Sequence, residues 1–562
     1  MTHNVNLTIL RFTGRVLLYI GLVTAFFCPS SWANNIAVTN VEIASQDTTA
    51  NTVTIEFDIS WSNSWRDSTN FDAAWVFIKY STDSGTSWKH ATLKSSGLDP
   101  SGFDIGTGTE LELWVPKDKK GVSVQRASQG SGSLSTTDVQ VIWHYGVDQM
   151  SDSSTLIGDT DAIASSTQIK VMAIEMVFIP EEGFYAGDGS AGTAGQLEFG
   201  GSGSSLPGAL NSEGGMSFGT GAGQWYYNTP GSPNTGEASD GASFEVTEAF
   251  PKGFHSFYIM KYEITEGLWV AFFNTLNSNQ KSERDITGNH ASLGGKNSDS
   301  TVNRNTISWT SGDASTSRED RACGYLSYVD VAAFADWAAL RPMSELEFEK
   351  VCRGPLYPVA GEFAWGTTSS TVATTISGTE NGTETISTSN ANVVFNNTNF
   401  SGGDTGTGPV RAGIFATAST VTRAQTGGSY YGVMEMSGNL WERVVTLGNA
   451  TGRGFAGTHG DGILTNIASY YGNATNTDWP GINATQSRGV TDATGSGLKG
   501  GGYVHTDTQL LEVSDRTSAA APDDNREAYY GGRCVRTASD GDGSASPGGE
   551  SSSGGGGEIS EL

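Results

Sequence analysis

Positive charge is scarce in this sequence. Lys and Arg number 32 against 60 Asp and Glu, a formal net charge of -28 over 562 residues. A protein that grips nucleic acid needs clustered Lys and Arg to displace counterions from phosphates, so that class of partner is excluded. The acidic excess suits a surface that attracts divalent cations instead. Cysteine is rarer still: Cys28, Cys323, Cys352 and Cys534. The seven histidines (His3, His90, His144, His255, His290, His459 and His505) are scattered, none at the His-x3-His spacing of a helical metal site. There is no G-x-S-x-G nucleophile elbow and no P-loop. After residue 33 no segment is long and apolar enough to qualify as a transmembrane helix.

What is present begins with a leader-like segment. Arg11 and Arg15 precede an apolar run from Val16 to Phe27, and Ser31-Trp32-Ala33 supplies a small-x-small cleavage site. Residues 1–33 therefore read as a secretory signal, and the protein is expected to be secreted or held in the cell envelope. The run is too short to span a bilayer comfortably. Lipid attachment at Cys28 is disfavoured by bulky Phe26 and Phe27, where small residues belong. An oxidising compartment then permits one disulfide among Cys323, Cys352 and Cys534 and leaves one thiol over. Pairing Cys323 with Cys352 would clip a helical layer and leave Cys534 as a buried thiol, although spacing alone does not fix connectivity.

Glycine is abundant, at 74 residues, which points to a loop-rich, β-containing fold. Over residues 34–170, Val53, Ile55, Phe57, Ile59 and Trp61 alternate with polar neighbours, and the pattern recurs at 111–115 and 139–143. Several short strands between Gly, Ser and Asp turns predict an all-β, sandwich-like domain. Most of Trp61, Trp65, Trp75, Trp88, Trp114 and Trp143 are expected in its core or on its sheet faces, and the domain reads as a binding or spacer module. A second domain spans 171–537. Its stretch 188–247 turns to Gly, Ser, Ala and Asn and predicts a long or flexible insert with little apolar surface to bury.

Helix signals follow. Thr265 can cap a helix carrying Trp269, Phe272, Phe273 and Leu276 on one face. Ser327-x-x-Asp330 and Ser344-x-x-Glu347 have capping-box spacing, and Met343 with Phe348 has that of a hydrophobic staple. From about 366 to 428 the composition predicts long loops. Residues 538–562 read as a Gly/Ser-rich, disordered tail.

The chain is organised around Gly432-Val433-Met434-Glu435-Met436-Ser437-Gly438-Asn439-Leu440-Trp441-Glu442-Arg443. This stretch sets Met436 and Trp441 on either side of a glycine turn and adds the oxygen donors Asn439 and Glu442. It resembles the G-[LV]-x-[DE]-M-x-G-N-x-W-E segment of the formylglycine-generating enzyme (sulfatase-modifying factor) family. Four other segments are similar to that family's and keep its order: Phe257 to Thr265, Leu340 to Lys350, Lys499-Gly500-Gly501-Gly502-Tyr503, and Gly531 to Arg536. Five ordered matches are far more specific than any one. The resemblance implies an α+β, C-type-lectin-like fold, loop-rich with few strands and helices. It also implies structural calcium, for which Asn439, Glu442 and Asp404 are the candidate ligands, since oxygen-rich turns suit a hard cation.

The family's oxidase places two cysteines between its G-G-S-[WY] and G-F-R-C strands, the soft thiolate pair that a Cu(I) centre requires. Here the interval from Tyr503 to Tyr530 holds none, and His505 falls near the first position. Comparison with the family's iron-dependent sulfoxide synthases is weakened by the absence of closely spaced histidines. The expected function is therefore a secreted or surface-displayed protein that binds an unknown protein or glycan ligand. The candidate contacts are Tyr503, His505, Asp507, Arg516, Asn525, Tyr529 and Tyr530, tyrosine being a stiff, amphipathic contact residue. The resemblance extends to displayed variable proteins of diversity-generating retroelements, in which this interval is the hypervariable one. The alternative is a divergent metal-dependent oxidase of the same family, formylglycine-generating or related non-haem iron, using His505 and carboxylates such as Asp507. A third reading is a structural envelope component.

Overall fold

The computed structural model describes residues 35–148, 167–190, 195–229, 233–296, 303–417, 420 and 422–538. The expected signal (residues 1–33) and all of the expected tail except Ala538 lie outside the described residues. Strand outweighs helix, and the fold is α+β and loop-rich. The first strands are β1 (Ala37–Asp47), β2 (Thr52–Arg66), β3 (Asp72–Ser81), β4 (Leu111–Val115), β5 (Val122–Arg126) and β6 (Gly130–Trp143). β2 lies between β1 and β6 in one sheet, while β3, β5 and β4 pair in another. The alternation in β2 puts Val53, Ile55, Phe57, Ile59 and Trp61 into the shared core with Trp75, Leu113, Val124 and Trp143. Of the tryptophans, Trp61, Trp75 and Trp143 are buried, and Trp65, Trp88 and Trp114 are half-buried.

The expected domain boundary near residue 170 falls inside a strand, β7 (Gln168–Ile179). β7 pairs with β3 from Gln168 opposite Ser81 to Val177 opposite Asp72. On its other edge Met176 to Ile179 pair with β8 (Phe257–Met260). The sheet continues through β9 (Arg341–Ser344), β10 (Glu442–Val445), β11 (Ser496–Lys499) and β12 (Cys534–Thr537), in spatial order β11-β10-β9-β12-β8-β7-β3-β5-β4. One sheet thus runs through both halves. Lys261, just after β8, fixes the junction: its Nζ lies 2.6 Å from Glu175 on β7 and 3.9 Å from Asp72 on β3.

The helices are α1 (Glu266–Phe273), α2 (Ser278–Arg284), α3 (Tyr328–Trp337) and α4 (Glu345–Arg353). The Thr265 side chain accepts from Leu268 N, and both expected capping boxes close. Met343 and Phe348 meet in the core with Val177, Phe257 and Met436. α2 had not been anticipated, although Asn277 and Gln280 form a third box.

The insert departs from expectation. Residues 197–199, 225–227, 216–218 and 244–246 form a small sheet, with Leu197, Phe218, Trp225, Tyr227 and Val246 buried. The mean composition hid these dispersed aromatic and aliphatic residues. Gly208 is required beneath them, because a Cβ there would sit 2.0 Å from the Trp225 ring.

Candidate functional site

The 432–443 stretch builds the site by threading between two other segments. Gly438 N donates to Gly500 O at 2.8 Å, Tyr503 N to Asn439 O at 2.8 Å, and Trp441 N to Tyr529 O at 2.9 Å. A Cβ on Gly438, whose φ is +89°, would strike Val393 at 2.4 Å, so only glycine allows this approach. Trp441 is thereby held between the 503–505 and 529–530 segments.

Around it the aromatic rings form a chain. The His505 ring lies 5.4 Å from Trp441 and 5.5 Å from Tyr529, and Tyr529 lies 4.9 Å from Tyr530, all edge to face. Trp441 and Tyr530 are buried, while His505 and Tyr529 stay half-open to solvent. Arg443 covers the Tyr530 face at 4.5 Å, and the Tyr530 hydroxyl donates to Asp523 at 2.8 Å.

The His505 ring has a defined protonation pattern. Trp441 Nε1 lies 2.6 Å from His505 Nε2. An indole N–H only donates, so Nε2 must accept and the neutral ring carries its proton on Nδ1. Burial holds its pKa below the ordinary value. The site therefore offers solvent an Nδ1–H donor beside the half-open Tyr529 ring.

The other expected contacts divide. Asp507 is exposed and caps the turn at 508–511 through Gln509 N at 3.1 Å. Asn525 is exposed and held by Asp523 at 2.7 Å. Tyr503 is 1% exposed; it belongs to a buried hydrophobic cluster that includes Leu440 and Phe400, and its hydroxyl meets no partner among the described residues. Arg516 is not at the surface at all. It is fully buried, with Nη2 3.0 Å and Nε 2.5 Å from Glu345, and it braces the start of α4. Trp441 is the contributor that the list of candidate contacts omitted, although it stands in the same motif.

The three expected calcium ligands do not fit that ion. Both Glu442 oxygens lie 2.8 Å from Arg533 Nε. Asn439 donates its amide N–H to Glu263, and its oxygen accepts from Val410 N at 3.1 Å. The Asp404 oxygens meet Arg318 at 2.6 and 2.7 Å and Arg321 at 2.7 Å, and these guanidiniums hold its carboxyl below the usual range. Glu442 and Asp404 are thus paired with guanidiniums and Asn439 is held by Glu263 and Val410, so a cation would have to displace these partners. Among the described residues no cluster of three or more His, Cys, Asp or Glu is arranged to hold a metal. Cys323, Cys352 and Cys534 are buried free thiols, so the anticipated Cys323–Cys352 bridge is not formed. Burial pushes each thiol up in pKa, away from the nucleophilic thiolate.

A mixed sheet flanked by short capped helices, with long loops converging on the 438–441 turn, defines an α+β, loop-built site carrier. Residues 229–538 match the sulfatase-modifying factor enzyme 1-like domain, more than half of the chain, and the protein belongs to that family. No curated protein matches the chain. No helix among the described residues is long and apolar enough to cross a membrane.

Proposed function

We propose that this chain is a ligand-binding member of the sulfatase-modifying factor family rather than an oxidase. The hydrogen bond from Trp441 to His505 Nε2, in an interval without cysteine, carries the reading. One ring nitrogen is spent on the indole and the other bears the proton, so neither offers a lone pair to copper or iron. The remaining features suit recognition: half-open Tyr529 and His505 ring surfaces, an N–H donor, and the exposed acceptors Asp507 and Asn525 at the rim. With the export implied by residues 1–33, the ligand would be an external glycan or protein. Aromatic rings with a few fixed polar groups match the alternating apolar and hydroxyl faces of a sugar.

A glycan array probed with the purified chain and with Tyr529→Ala and His505→Ala tests this. Binding to a defined glycan set that both variants lose supports it. Binding that both variants retain places recognition elsewhere, and oxygen consumption with a cysteine-containing peptide would replace this reading by an enzymatic one.

A further inference from the structure

A second concave site lies at the far end of β12 from Tyr530. The insert supplies one wall through Glu213, the segment before β8 supplies Glu248, Pro251 and Phe254, and Arg341, Glu347 and Thr537 form the floor. Its volume is about 520 Å³, within the range of cavities that hold small organic ligands.

Charge decides what it would hold. The Arg341 guanidinium is spent, with Nη1 and Nη2 at 2.9 and 2.6 Å from Glu347 and Nε at 2.9 Å from Thr537 Oγ1. The neighbouring Lys252 turns its Nζ onto the carbonyls of Thr247 and Phe250, at 2.6 and 2.9 Å. The His255 ring engages Glu181 at 3.0 Å. The Glu213 carboxylate takes the backbone N–H groups of Lys252, Phe254 (3.0 Å) and His255 (3.2 Å), which fixes it at the wall; the Lys252 ammonium lies in electrostatic reach of both Glu213 and Glu248 without pairing directly with either. Glu248 is exposed. Among the described residues neither Glu213 nor Glu248 forms an ion pair. The lining thus sets three carboxylates against one guanidinium, around an apolar patch of Ala249, Pro251, Phe254 and Ala456.

The geometry points to a binding site for a small organic cation, a primary amine or guanidine on a compact aromatic or aliphatic body. The carboxylates receive the charge, and the proline and phenylalanine receive the body. This site shares no residue with the aromatic cluster at Trp441 and stands independently of the function proposed there.

Benzylamine is the probe, titrated into the full-length protein at pH 7 and followed by saturation-transfer NMR, with benzyl alcohol and benzoate as controls. Binding is expected in the millimolar range for so small a ligand, with benzyl alcohol weaker and benzoate silent. Glu248→Gln should weaken benzylamine by about three- to fivefold, the effect of one exposed ion pair. Ala456 is exposed, so Ala456→Trp can close the mouth without disturbing the core, and it should abolish the signal while leaving the melting temperature unchanged. Equal binding of benzyl alcohol, undiminished binding in either variant, or no binding at all overturns the proposal.

Discussion

His505 is read by its neighbour. The Trp441 N–H at 2.6 Å favours a bare Nε2, and burial adds to the bias against the imidazolium. Trp441→Phe removes the donor while keeping an aromatic ring, and the His505 titration midpoint, followed by NMR of its ring carbons, should rise. Glu435 gives a second prediction. It is 5% exposed, one carboxylate oxygen accepts from Gly413 N at 2.8 Å, and the other has no partner among the described residues. Burial pushes its pKa up to about 7 from an ordinary 4.5. The folded protein therefore holds an extra proton between those values, so this group's stability is greatest below pH 4.5 and falls as pH rises to about 7. Measured by thermal melting, Glu435→Gln should gain on the wild type as pH is raised from 5 to 8; a difference independent of pH contradicts the assignment. Residue roles were legible in the sequence only where the partner is near in chain or shared by motif. His505, Tyr529 and Tyr530 lie close in the chain or in the family motif and their rings meet, whereas Arg516 meets Glu345, 171 positions away, and Asp404 meets Arg321, 83 positions away. An acidic side chain in a polar loop reads as a cation ligand until a distant guanidinium is seen beside it.

Elements fared better because their signals are local. The Ser327 and Ser344 boxes and the Met343–Phe348 staple were readable from spacing, and Asn277-x-x-Gln280 carried the same signal for α2, weakened by the polar sequence Ser278 to Arg284 between Asn277 and Asp285. Ser344→Ala removes the acceptor for Glu347 N at 3.1 Å and a donor to Pro251 O at 2.7 Å. It should cost about 1 kcal/mol in chemical denaturation. The insert was misread because glycine and serine dilute its aromatics. Its small sheet depends on Gly208 beneath Trp225, and Gly208→Val should loosen the insert, read as faster hydrogen exchange at residues 216–227 with the β8–β12 amides unchanged.

At the scale of the whole molecule, the shared strand β7 makes the two halves one mechanical unit. Sequence patterning could place β7 as a strand but not name its partners, because its β3 partners lie 87 to 105 positions upstream and its β8 partners 78 to 84 downstream. The junction is held by charge as well as by backbone pairing: Lys261 links Glu175 and Asp72 where all three side chains are buried. Lys261→Met would leave two buried carboxylates short of a cation, at a cost of about 3–5 kcal/mol. The unfolding of wild type should be a single transition by both tryptophan fluorescence and far-ultraviolet circular dichroism; two resolved transitions would contradict the continuous sheet. The family scaffold itself was legible from five ordered motifs, and residues 229–538 match the corresponding domain.

The account rests on a site that recognises rather than oxidises. An anaerobic titration of the full-length protein with Cu(I), in competition with a chromophoric chelator, tests that most directly. The expected result is that the chelator keeps its metal throughout, because His505 has no free lone pair and the three cysteines are buried free thiols. Transfer of one equivalent of Cu(I) to the protein, lost in His505→Ala, would contradict it.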